Sequence, residues 1–125
     1  MNGIDLIIDT NIAIYVLEGN LLIEPFMTYS VGVSVVSEME LLGRKDILEH
    51  ETTAIKNLLS DCEILRFSSN IKELTIAIKQ QFAIKLPDAI IAATAKYYGI
   101  PLLTADKDFK KLESVVDVII LDYLK

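Results

Sequence analysis

Ile4-Asp5-Leu6-Ile7-Ile8-Asp9-Thr10-Asn11 is a short, mostly apolar run that stops at an acid followed by two small polar residues. Apolar runs of this length read as strands buried on both faces, and Asp9-Thr10-Asn11 reads as the turn that ends the strand and caps a following helix. Asp9 is thereby placed at the carboxyl end of a strand. The same pattern recurs along the chain, which gives the fold class.

Working outward, a helix is expected over 12–18, stopped at Gly19-Asn20, followed by a segment over 21–29 interrupted by Pro25. A strand over 31–35 leads to a helix carrying Glu38 to Leu42, with Ser34 or Ser37 as its cap, and another helix covers 48–59. A strand over 63–67 precedes a helix over 71–81, opened by Ser69-Asn70 and patterned by Leu74, Ile78 and Phe82. Leu86-Pro87-Asp88 starts a helix with Pro in its first turn that runs to a stop at Gly99. A strand over 100–103 ends at Thr104-Ala105-Asp106, a short helix covers 108–112, and 116–121 is a last strand. Alternating strands and helices imply an α/β fold, a three-layer sandwich with a mainly parallel central sheet flanked by helices.

The chain has 125 residues, which is the size of a single domain spanning 1–125 and is enough to bury a core without staples. Hydrophobic residues are 52% of the total, which excludes a disordered chain and leaves apolar surface for a partner. The single Cys62 and the single His50 exclude a disulfide framework and a His-based zinc site. Cys62 reads as a small buried residue and His50, between Glu49 and Glu51, as a solvated one. Residues 1–10 lack a positive leader pattern, and no apolar run approaches the ~18 residues that span a bilayer, so the expectation is a cytoplasmic protein with no membrane contact.

A net charge of −6 argues at face value against a nucleic-acid partner. Bound divalent cations cancel carboxylates locally, however, so an acidic chain can still present a positive centre to a phosphodiester. Ligands of parallel sheets sit beyond the carboxyl ends of the strands, where Asp9 and Asp106 are expected. The small-residue face of Ala89, Ala92, Ala93 and Ala95 lets the helix of Asp88 pack close to the sheet. Carboxylates gathered there raise one another's pKa unless a cation lies between them. Mg²⁺ or Mn²⁺ suits all-oxygen donors, and a pair of such ions about 4 Å apart activates water and stabilises a leaving oxygen. That chemistry cleaves phosphodiesters.

Four stretches carry a resemblance to a known family: Ile7-Ile8-Asp9-Thr10-Asn11, Ser37-Glu38-Met39-Glu40-Leu41-Leu42-Gly43, Leu86-Pro87-Asp88-Ala89-Ile90-Ile91-Ala92-Ala93 and Leu103-Thr104-Ala105-Asp106-Lys107-Asp108-Phe109. In this order and spacing the chain resembles the PIN-domain family, above all its VapC-type ribonuclease toxins. The resemblance implies a metal-dependent endoribonuclease with Mg²⁺ or Mn²⁺ as cofactor, an RNA substrate, a cognate antitoxin protein and a homodimer; an RNA-processing nuclease outside such a pair and a catalytically silent binding module stay open as alternatives. It implies Asp9, Glu40, Asp88 and Asp106 as the acidic quartet, with Asn11 and Thr104 orienting a carboxylate or water. Two choices stay open in the residues themselves. Glu38 and Glu40 lie on different helix faces and periodicity does not choose between them, although the motif register favours Glu40. Asp108 either replaces or supplements Asp106, or serves only as a first-turn acid of the short helix. Of the basic residues, Lys85, Lys107, Lys110 and Lys111 lie closest to the acidic motifs.

A phosphoacceptor receiver domain fits less well, because Asp9 is followed by Thr10-Asn11 rather than an acidic pair, and the strand over 63–67 ends in Ser68-Ser69. A haloacid-dehalogenase-type phosphatase lacks its second aspartate two residues after Asp9.

Overall fold

Strand β1 (Leu6–Ile8) forms where the apolar run places it, and all three residues are buried. The computed structural model describes residues 3–20 and 23–121. The start of the expected 21–29 segment, at Leu21 and Leu22, and the two ends of the 1–125 span lie outside the described residues. The element order continues with α1 (Thr10–Leu17), a 3₁₀ helix (Glu24–Thr28), β2 (Val31–Ser34), α2 (Val35–Leu42), α3 (Glu49–Ser60) and β3 (Glu63–Leu65). Then come α4 (Ser69–Gln81), α5 (Leu86–Tyr98), β4 (Leu102–Thr104), a second 3₁₀ helix (Lys107–Leu112) and β5 (Val118–Ile120).

The sheet order is β3-β2-β1-β4-β5, and every pairing is parallel, where the sequence led us to expect a mainly parallel sheet. Alternation along the strands builds a core on each face. Leu6, Ile8, Val31, Val33 and Leu103 join Ile12, Leu41, Ile55 and Leu59 under α1, α2 and α3. Ile7, Leu65 and Leu102 join Ile71, Ile78, Ile91 and Ala92 under α4 and α5. Ile7 and Ile8 are both 0% exposed, so truncating either to Ala costs roughly 2–5 kcal/mol. Gly32 lies between these layers: a Cβ there would meet Leu65 Cδ1 at 3.0 Å and Ile4 Cγ2 at 3.1 Å, so only glycine packs without displacing them.

Local chemistry explains where the boundaries move. Strand β2 passes directly into α2 because the Ser34 hydroxyl accepts from the Val36 N–H at 3.1 Å, so Ser34 is the cap and Ser37 lies inside the helix. Strand β4 starts later than expected. Gly99 adopts φ +66° and ends α5, the Ile100 N–H returns to the Ala95 carbonyl at 3.1 Å, and Pro101 has no N–H to give the ladder. The late helix is 3₁₀ and is capped by Asp106, whose side chain accepts from the Asp108 N–H at 2.9 Å.

Strand order reverses between β1 and β4: β2 and β3 follow on one side of β1, β4 and β5 on the other. The loops after β1 and β4 diverge there, leaving a crevice at the carboxyl edge of the sheet.

Candidate active site

Asp9 opens this crevice, and both its oxygens are engaged. Oδ1 accepts the Ile12 N–H at 2.9 Å, capping α1, and Oδ2 accepts the Thr104 hydroxyl at 2.5 Å. The helix-cap role and the site placement thus belong to the same side chain. Only 3% of Asp9 is exposed. Burial pushes its carboxyl up from the ordinary 3.8 to about 6, the two hydrogen bonds pull it back, and the nearby Asp88 and Asp106 push it further up.

Thr104, fully buried at the end of β4, links two acids. Its hydroxyl donates to Asp9 while its oxygen accepts the Asp106 N–H at 3.0 Å, which fixes the turn that carries Asp106. Asp88 stands in the first turn of α5, where α4 and α5 pack on the sheet. Its carboxyl is raised by burial first and then by Asp106 and Glu40, and lowered by Lys85. Glu40 reaches in from α2, where Oε1 accepts the Thr10 hydroxyl at 2.5 Å.

Asp9, Glu40, Asp88 and Asp106 thus line one cleft of about 260 Å³, together with Thr10, Asn11, Lys85, Pro87 and Phe109. Four acids and one lysine make it a strongly negative concavity. Of the open choices, Glu40 lines the cleft and Glu38 does not, and Asp106 lines it while Asp108 gives Asp106 its backbone N–H. Asn11 is exposed at the rim. Among the described residues no group of three or more His, Cys, Asp or Glu side chains already closes on a point able to hold a metal ion. The donor chemistry nonetheless fits a hard divalent cation: every acidic group is a carboxylate, and one of them is buried beside two like charges that a cation would neutralise.

The model of the PIN domain family matches residues 6–115, which takes in all four acids. The chain belongs to the PIN domain family. Chains in solved structures superpose on it over nearly their whole length. In the toxin-antitoxin complex from Klebsiella pneumoniae, the matching chain is 28% identical, with TM-score 0.78 over 92% of this chain and 96% of that one. In VapBC2 from Rickettsia felis, bound to a DNA fragment from its promoter, the values are 20%, 0.79, 94% and 98%. In DNA-bound VapBC from Salmonella typhimurium they are 20%, 0.79, 94% and 97%. No curated protein matches the chain in direct comparison. No helix among the described residues of this PIN domain is long and apolar enough to cross a membrane.

The sequence places Thr10 in a turn and offers Ser37 as a cap, but gives neither a part in the site. The only available signal was that both fall inside the motif stretches quoted above; their contact spans 27 positions and appears only once α1 and α2 are packed.

Proposed function

We propose that this PIN domain is a Mg²⁺- or Mn²⁺-dependent endoribonuclease and the toxin of a toxin-antitoxin pair. The observation that carries the reading is the buried Asp9, raised to about 6 and sharing one cleft with Glu40, Asp88 and Asp106 at the point where strand order reverses. Such an arrangement is costly for folding alone and useful for holding a cation. The four acids would hold the ion, with Thr104 keeping the Asp9 carboxylate turned toward the cleft. A bound ion would supply an activated water and charge stabilisation for the departing 3′-oxygen. Lys85, the cleft's cation, would take the RNA phosphate flanking the scissile one, and Asn11 at the rim would hydrogen-bond the incoming chain.

An antitoxin partner is supported by the complexes in which the similar chains sit. A second concavity of about 280 Å³, walled by Ile14, Leu17, Leu41 and Ile55 of α1, α2 and α3 together with Glu18, Arg44, His50 and Glu51, offers such a partner a mixed apolar and charged surface. A homodimer in the cytoplasm completes the proposal.

The test is cleavage of a mixed RNA pool by the purified chain with Mg²⁺ or Mn²⁺, with EDTA, and with Asp9→Asn. The reading expects cleavage that stops in EDTA and in the variant and leaves 5′-phosphate ends. Cleavage that persists in EDTA, or 2′,3′-cyclic phosphate products, would refute it.

A further inference from the structure

Glu40 is the one acid of the cleft whose side chain projects from an exposed position, and a free glutamate there would sample many rotamers. It is held instead by hydroxyl groups. Thr10 Oγ1 lies 2.5 Å from Glu40 Oε1 and 2.9 Å from Ser37 Oγ. An ionised carboxylate can only accept, and a threonine hydroxyl has one proton to give. That proton therefore goes to Glu40, and Ser37 supplies its own proton to the Thr10 oxygen. The three groups form a directed chain, Ser37 to Thr10 to Glu40, that ends on the carboxylate.

Ser37 shows that the chain is built rather than incidental. It is 0% exposed, and a serine inside a helix ordinarily spends its hydroxyl on the carbonyl one turn back. Here it points across to α1. Thr10 also follows Asp9 directly, so the chain ties the α1 end of the cleft to Glu40 on α2 and leaves Oε2 for the cleft.

We infer that Thr10, backed by Ser37, is a positioning residue that sets the place of the Glu40 carboxylate for cation binding. The inference rests on the proposed metal-dependent function, since it concerns the same cleft.

Mn²⁺ titration by calorimetry on the full chain tests it, with thermal unfolding recorded for each variant. Thr10→Val keeps the shape and removes the proton; it should weaken Mn²⁺ binding about 10–100-fold while moving the unfolding midpoint by less than about 4 °C. Thr10→Ser restores the hydroxyl and should return affinity to within about 3-fold of wild type. Ser37→Ala should fall between them. Adding Thr10→Val to Glu40→Ala should cause no further loss, because the residue acts through Glu40. Wild-type affinity in Thr10→Val, or an equal loss in the Glu40→Ala background, overturns the inference while leaving the metal site intact. Equal binding by wild type and Glu40→Ala would instead refute Glu40's place in the proposed function, and the positioning role with it.

Discussion

Strand β1 carries an aspartate at each end, and the two live in different settings. Asp5, just before the strand, is exposed; its Oδ2 accepts the Ser30 N–H at 2.9 Å and its own N–H donates to the Ser30 carbonyl at 2.8 Å, which closes a loop. Asp9, just after the strand, is buried, bonded through both oxygens and pushed up to about 6 by its surroundings. Residue type and strand are the same. What differs is the end of the sheet: the amino edge uses its acid to fasten backbone, while the carboxyl edge gathers acids where the loops diverge.

Activity should separate the two ends most widely. Asp9→Asn is expected to lower metal-dependent RNA cleavage by about 10³-fold or more, since it removes a charged group from the proposed cation site, whereas Asp5→Asn should change it less than about 2-fold. Initial rates on one RNA pool measure both.

Stability should separate them with the opposite sign. A carboxyl raised in the folded state resists ionisation there, so its contribution is fully favourable below about pH 4 and is lost as pH rises toward about 6. The shift from 3.8 to about 6 corresponds to at most about 3 kcal/mol, and Asp88, raised in the same direction, adds to it. In metal-free urea unfolding, Asp9→Asn should therefore gain on wild type between pH 4 and 7 by about 1–3 kcal/mol. The gain stays below the maximum because the Thr104 proton loses its charged acceptor.

Support around Asp9 comes next. Thr104→Val keeps the volume but removes the donor to Asp9 and the acceptor for the Asp106 N–H, and should cost about 10–100-fold in cleavage. The smallest effect is expected for Lys85→Met: an increase in KM with kcat little changed, and a salt slope of RNA binding reduced by about 1.

Much of this end of the molecule is legible before folding. The apolar run up to Ile8 places Asp9, and Ile100 to Leu103 places Asp106 to within a turn, because buried strands carry their signal in consecutive residues. The choice of Glu40 over Glu38 is not legible that way. It depends on which side of α2 faces α1, and Glu40 follows the hydroxyl of Thr10, a residue 30 positions away. The later start of β4 escapes for a related reason: the Gly99 turn reaches back to Ala95 and holds Ile100 in the helix cap. The capping by Ser34 rather than Ser37 is also not legible, because it depends on α2 starting directly at the end of β2.

Under the proposed function, a cation binds at the carboxyl end of β1 and none binds at the amino end. Calorimetric titration of Mn²⁺ into wild type, Asp9→Asn and Asp5→Asn at one pH tests it without any assumption about the RNA target. Wild type and Asp5→Asn should bind alike, and Asp9→Asn should bind at least about 10-fold more weakly. Absence of binding in wild type, or equal affinity in Asp9→Asn, would contradict it.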